Sequence, residues 1–187
     1  MIAGHPPLAL SGNEVVKAAL ERQTVIDFSA APAFWGSFVR GSEDAILMAR
    51  GGLDIANAPD EKGAFDLIQA HLIESLSAIG RERLDFYFLQ VRAPLEEFQI
   101  SGALEALEGA RQEKHVQYLG LASAGAPMTT QSVWQFHDAF EVLLLQQPDS
   151  ALETMAKDRR VGIVTTYPSD YTYLQDFSGT VAEGAHA

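Results

Sequence analysis

The sequence predicts a single α/β domain built on a parallel sheet, and three observations support this fold class. Short apolar runs alternate with stretches of helical periodicity along most of the chain. The runs are apolar on both faces, as strands of a helix-covered parallel sheet are. Finally, 187 residues with 47% hydrophobic and 20% charged content form an ordinary globular composition. Such a chain is long enough to bury the core of one domain.

Seven of the apolar runs are predicted to be strands. Each is short and is followed by loop or helix signals, and the first is the weakest. In chain order they are Leu8–Leu10, Val25–Phe28, Ala45–Ala49, Leu84–Gln90, Val116–Ala122, Phe140–Leu145 and Val161–Thr165.

Helices are predicted between these strands, at Asn13–Arg22, Asp60–Ile79, Glu97–Glu113, Thr129–His137 and Asp149–Asp158. The second is the clearest, since its apolar residues recur every three or four positions. Gly80 suits the left-handed position that follows a helix. We expect threonines to cap the fourth helix, and Asp149 with a capping-box pattern at Ser150–Glu153 to start the fifth. The stretch Pro32–Asp44 fits either a loop or one helical turn.

Strand–helix alternation implies parallel strands joined by right-handed crossovers. No composition shift marks a domain boundary, so residues 1–187 are predicted to be one domain. From Pro168 onward the pattern changes: aromatic residues are followed by a sequence typical of a frayed, irregular tail over residues 168–187.

Charge and composition exclude several classes of function. The chain has 13 basic and 25 acidic residues and a net charge of −12, which disfavours binding to nucleic acids or to anionic membranes. It has no cysteine, and its five histidines show no metal-ligand spacing, so we expect no metal site. No apolar run reaches the ~18–20 residues of a membrane span. We therefore expect a cytoplasmic protein.

Four segments together resemble the aldo-keto reductase family. ALERQTVIDFSAA resembles the family's second strand and its aspartate motif. LIESLSAIGRERLDFYFLQVRAP resembles the third helix and fourth strand, and is the most specific match. LEALEGARQEKHVQYLGLAS and RRVGIVTTYP resemble the segments leading into the fifth and seventh strands. Their order and spacing also match, from about Asn13 to Pro168.

The resemblance implies a (β/α)₈ barrel that reduces carbonyl compounds with NADPH. In that chemistry a Tyr donates a proton, a Lys held by an Asp tunes the Tyr, and a His orients the carbonyl. Barrels of this type usually need about 250 residues. We therefore predict an incomplete TIM-type barrel of about seven strands, in which the eighth β/α unit is missing.

Most catalytic positions of the family carry other residues in this chain. Only the Asp is matched, by Asp27. The Tyr position falls on Pro32, the Lys position on Arg50 and the His position on Gln90. Asp27 is therefore the one candidate catalytic residue, or else simply the ion-pair partner of Arg50. An arginine stays protonated and cannot serve as a proton donor.

The cofactor positions match equally poorly. The pair that holds the nicotinamide amide falls on Ala122 and Ser123, and the family's Gln falls near Leu144, with Gln146 two residues further on. The stacking aromatic falls one residue before Tyr167. Gln146 and Tyr167 are thus weak candidates for cofactor contacts, and we expect no bound cofactor, with NADP as the alternative.

Three functions remain open at this stage, and one of them is a purely structural subunit. The first is a pseudoenzyme-like interaction protein, or one that binds a small anionic or carbonyl ligand at a mouth lined by Asp27, Arg50, Gln90, Arg92 and Ser123. Arginine forks suit oxyanions, although Arg92 can equally be a solvated loop residue. The second is an NADP-dependent oxidoreductase with a non-standard site. We also expect a homo-oligomer, because an open sheet leaves two edges to be covered.

Overall fold

Six strands form one parallel sheet whose spatial order follows the chain. The computed structural model describes residues 25–40 and 45–165. Within them the strands are β1 Val25–Asp27, β2 Ile46–Gly51, β3 Leu84–Val91, β4 Val116–Ser123, β5 Val142–Leu145 and β6 Gly162–Thr165. Every adjacent pair is parallel. The C-terminal ends of all six strands therefore meet at one edge of the sheet.

One α-helix lies in each of the five connections between consecutive strands. The helices are α1 Pro32–Val39, α2 Glu61–Ile79, α3 Glu97–Gln112, α4 Pro127–Phe136 and α5 Ser150–Arg159, with one 3₁₀ turn at Ile55–Asn57. Helix α2 begins at Asp60, whose carboxylate accepts a hydrogen bond from the Gly63 amide. It ends at Gly80, whose φ of 70° confirms the predicted left-handed position.

The two faces of the sheet are packed differently, and this difference decides the architecture. Along each strand, consecutive residues belong alternately to two buried clusters, because successive side chains on a strand point to opposite faces. The inner cluster consists of strand residues: Val25, Met48, Phe88, Ala122, Val142, Leu144 and Val164. The outer cluster joins the other strand face to all five helices, through residues such as Trp35, Ile68, Leu107, Trp134 and Leu152.

All described helices thus cover one face, whereas an open doubly wound sheet has helices on both. Sequential parallel strands with helices on one side are the arrangement of an α/β barrel. The described residues form an incomplete barrel of this kind, and the inner cluster is its interior.

The predicted strands from Val25–Phe28 onward are all present, with ends that differ by at most two residues. The difference reaches two residues at the end of β2, which extends to Gly51, and at the start of β5, which begins at Val142 rather than Phe140. Phe140 instead packs in the outer cluster. The predictions at Leu8–Leu10, at Asn13–Arg22 and in the tail 168–187 lie outside the described residues.

The stretch from Pro32 contains a helix of eight residues, longer than the single turn considered from the sequence. Pro32 occupies its first turn, where the fixed φ of proline favours a helix. Helix α1 packs tightly on the end of α2: a Cβ atom on Gly36 would lie 2.3 Å from the Ala78 carbonyl oxygen. This tertiary contact, together with burial of Trp35 and Val39, stabilises a helix that the local pattern left undecided.

The prediction that threonines cap α4 was wrong. The helix begins at Pro127 with Ala126 as its N-cap, and no side chain caps it. Thr129 and Thr130 lie inside the first turn and are buried. The proline supplies the start, because its missing N–H is one that the first turn leaves unpaired anyway.

Helix α5 begins as expected at Asp149, whose carboxylate accepts a hydrogen bond from the Leu152 amide. The capping box predicted at Ser150–Glu153 was wrong, because Asp149 is the N-cap and Leu152 is therefore the third residue of the helix. In the described part of the chain, no helix combines the length and the hydropathy needed to cross a membrane.

Candidate functional site

Three of the predicted site residues lie together at the C-terminal ends of the first three strands. Asp27 ends β1, and Arg50 and Gln90 each lie one residue before the ends of β2 and β3. Each follows a member of the inner cluster by two residues, so all three are on the interior face. Active sites of α/β barrels lie at this end of the strands.

Asp27 and Arg50 form the ion pair that the sequence suggested. Arg50 Nε lies 2.7 Å from Asp27 Oδ2, and the two side chains are 13% and 2% exposed. Because both side chains are largely shielded from solvent, each charge is stabilised by the other, and an unpaired buried ion is strongly destabilising. The pair is therefore a fixed, electrically neutral element of the mouth.

Ser29 completes this arrangement, and the sequence analysis missed it. Its backbone amide donates to Asp27 Oδ1 at 3.0 Å. Its hydroxyl oxygen accepts a hydrogen bond from the Arg50 backbone amide at 2.7 Å. An Asp that accepts from the amide two residues later is the ordinary Asx turn, so the Asp-Phe-Ser spacing after a strand was the available signal.

Gln90 presents an amide group to the same end of the barrel. Its side chain is 8% exposed, and no hydrogen bond joins its amide to another residue within 25–40 and 45–165. The register aligns Gln90 with Ala122, then with Leu144 and Val164 on the next strands. The polar groups of Asp27, Arg50 and Gln90 thus border an apolar interior wall.

The other predicted site residues are placed differently. Arg92 is exposed, one residue past β3. A Cβ atom on Gly125 would lie 2.1 Å from the Arg92 carbonyl oxygen. The loops after β3 and β4 are therefore in contact beside the mouth. Ser123 alternates with Ala122 and so points with Leu121 toward the helix-covered face. Gln146 is half-buried one residue past β5, and Tyr167 lies outside the described residues.

A second polar pair lies behind Arg50, on the outer face of the sheet. Tyr87 Oη is 2.8 Å from His71 Nδ1, and the two rings meet edge to face, 5.6 Å apart. Burial raises the pKa of the Tyr87 phenol above its ordinary range. Burial also lowers the pKa of His71, against the opposing effect of the Glu74 carboxylate.

Among the described residues, few groups near the mouth could donate a proton to a ligand. Pro32, which stands at the family's Tyr position, is the first residue of α1. Tyr118 is on the interior face but four residues before Ala122, about 13 Å lower along β4 at ~3.3 Å per residue. It stacks on Phe86 with ring centroids 5.3 Å apart. In the described ranges, no group of three His, Asp or Glu side chains could hold a metal ion.

Comparison with known proteins gives a clear result for the fold. No family model matches the chain, and no curated protein matches it. An aldo-keto reductase from Bacillus halodurans in its apo form matches with a TM-score of 0.64 and 18% identity, over 82% of this chain and 53% of that one. An aldose reductase from Giardia lamblia matches with 0.64 and 13%, over 87% and 62%. The described part of this chain has the aldo-keto reductase fold.

A third match, an aldo-keto reductase from Bombyx mori solved in complex with NADP, has a TM-score of 0.62 and 14% identity, over 88% of this chain and 60% of that one. Identities this low establish the fold alone. The chain spans about half the length of the Bacillus halodurans structure, at 53%.

The aldo-keto reductase fold implies a nicotinamide cofactor, and three of the positions that the resemblance assigns to it carry side chains that do not fit it. At the positions that would hold the nicotinamide amide, Ala122 and Leu144 are 0% exposed and apolar, and Ser123 points to the other face. None of these three offers the ring a hydrogen bond in the interior. Of the positions that the resemblance assigns to cofactor contacts, the described residues leave the amide of Gln146, which is half-buried one residue past β5.

Proposed function

We propose that this protein binds a small ligand at the barrel mouth and has lost the carbonyl reduction of the enzymes that share its fold. The ion pair between Arg50 and Asp27, at 2.7 Å, is the observation that supports this proposal most. It sets a permanently charged guanidinium where the family resemblance implies a lysine. A guanidinium binds and orients a ligand, but it does not exchange protons in the working pH range.

The mouth favours a ligand with an oxyanion or a carbonyl oxygen. Asp27 engages Arg50 through Nε, and no described residue bonds to the two terminal nitrogens. Those nitrogens form the fork that matches a carboxylate or phosphate. The Gln90 amide adds a donor on the neighbouring strand and does not titrate.

A second candidate function is an NAD(P)H-dependent oxidoreductase with a non-standard site. One observation favours it: the structures that share the fold are aldo-keto reductases, and the Bombyx mori protein was solved with NADP. This function requires a proton donor and cofactor contacts from residues other than Pro32, Ala122 and Leu144.

A direct titration with NADPH and NADP⁺, followed by calorimetry, separates the two candidates. We expect no binding at millimolar cofactor and no turnover of an activated aldehyde. Binding tighter than about 10 μM, roughly −7 kcal/mol, would instead support the oxidoreductase.

Acetate and inorganic phosphate test the ligand site itself, with amide chemical shifts as the readout. We expect shifts at the ends of β1, β2 and β3 that are lost in Arg50→Lys, which keeps the charge and loses the fork. Arg83→Lys is the control, because Arg83 is exposed and its contact with Asp85 is long, at 4.0 Å. Equal shifts in both variants would dismiss Arg50 as the anion ligand.

A further inference from the structure

A polar pair joins helix α2 to the outer face of the sheet, among mostly apolar buried side chains of the helix. Around the bond between His71 Nδ1 and Tyr87 Oη, the helix packs through buried residues such as Ile68 and Leu72. Tyr87 itself is 0% exposed. Among the described residues, the His71 imidazole is therefore the hydrogen-bond partner of the Tyr87 hydroxyl.

The direction of this hydrogen bond follows from the two groups. The buried phenol keeps its proton and must donate it, so Nδ1 accepts and the neutral imidazole carries its proton on Nε2. A protonated imidazole has donors on both nitrogens. The Tyr87 hydroxyl would then lose its acceptor, and a buried donor without a partner is destabilising.

Gly51 connects this pair to the candidate ligand site. A Cβ atom on Gly51 would lie 2.1 Å from Tyr87 Oη and 2.5 Å from His71 Nδ1. The backbone of β2 thus rests directly on both polar atoms. Arg50, the preceding residue, points to the opposite face and binds Asp27. A shift of the pair must move the segment of β2 that carries Arg50.

We propose that His71 and Tyr87 form a pH-sensitive latch: protonation of the imidazole removes the acceptor of the hydroxyl and loosens α2 from the end of β2. The loosening would also weaken anion binding at Arg50, and this last step alone rests on the proposed function.

The expected pH dependence has a definite sign. Burial lowers the pKa of His71 in the folded protein below its ordinary value of 6.5, and Glu74, one turn along α2, acts in the opposite direction. The strands facing the imidazole contribute Gly51 and Tyr87, neither of which is charged. The unfolded chain therefore binds the proton first. The stabilisation is complete above pH 6.5 and is lost as the pH falls toward the folded pKa.

Urea unfolding at pH 7.5 and 5.5 tests the latch without any ligand. One proton changes the folded-to-unfolded ratio by at most about tenfold per pH unit. We expect the wild type to lose stability on acidification and His71→Gln to lose less, because a glutamine oxygen can accept from Tyr87 at either pH. His115→Gln is the control, since the His115 side chain is 44% exposed and lies on another segment. Equal losses in the wild type and His71→Gln would overturn the latch.

Two further measurements complete the test. In Tyr87→Phe the NMR titration of His71 should move to higher pH, because the hydrogen bond that favours the neutral ring is gone; an unchanged midpoint would contradict the proposal. In the wild type, the Gly51 amide should exchange its hydrogen faster at pH 5.5 than the pH dependence of the intrinsic exchange rate explains. In His71→Gln this excess should be absent. If exchange responds while acetate binding does not occur at either pH, the latch stands and the proposed ligand site fails.

Discussion

Arg50 Nε lies 2.7 Å from Asp27 Oδ2 and joins the ends of two neighbouring strands on the interior face of the barrel. The register shows how this contact arises. Asp27 is aligned with Met48, two residues before Arg50, so the arginine side chain reaches back toward the first strand. Two residues far apart in sequence are thereby fixed at one point of the mouth.

Breaking this ion pair from one side should be costly, whereas removing both charges should be mild. We expect Asp27→Asn to lower the free energy of unfolding by about 3–5 kcal/mol, because Arg50 is then a buried charge without a partner. The double variant Asp27→Leu with Arg50→Met should lie much closer to the wild type. Urea unfolding of the single variants Asp27→Leu and Arg50→Met and of the double variant gives the coupling energy. Additive losses would show that the pair is not coupled.

Ser29 should matter more than its size suggests. In Ser29→Ala the Arg50 amide loses its acceptor while the Ser29 amide still donates to Asp27. We expect a loss of about 1–3 kcal/mol in the free energy of unfolding, the range for an orphaned buried donor. Ser37→Ala is the matched control, because the Ser37 hydroxyl donates to Phe34 at the exposed surface of α1. A similar small effect in both variants would show that Ser29 does not position Arg50.

Glycine-to-alanine substitutions should have opposite effects at two positions. In Gly51→Ala the new methyl group meets Tyr87 Oη at 2.1 Å, so the buried pair or the strand must move. Overpacking of this kind typically costs about 1–3 kcal/mol. Gly109 lies inside α3 and a Cβ atom there meets nothing within 4 Å. Gly109→Ala should therefore stabilise the helix by about 0.5–1 kcal/mol. Thermal unfolding distinguishes the two, and a tolerated Gly51→Ala would argue against the tight packing.

The sequence by itself determined the order and type of the elements. Strand and helix periods are local properties, so each strand from Val25 to Thr165 could be placed within two residues of its ends. The pairing of Asp27 with Arg50 was also predictable, because both follow apolar runs that become neighbouring parallel strands. The resemblance supplied the barrel, and the structural matches confirm that fold.

Tertiary structure alone decided which face each side chain occupies and what it contacts. Strand β4 is apolar on both faces, so alternation could not tell that Ser123 points away from the interior. The helix at Pro32–Val39 depends on its contact with α2, and the partnership of His71 with Tyr87 depends on how that helix lies on the sheet. These features come from contacts between segments distant in sequence. Local periodicity contains no information about such contacts, because it reflects only the geometry of one element at a time.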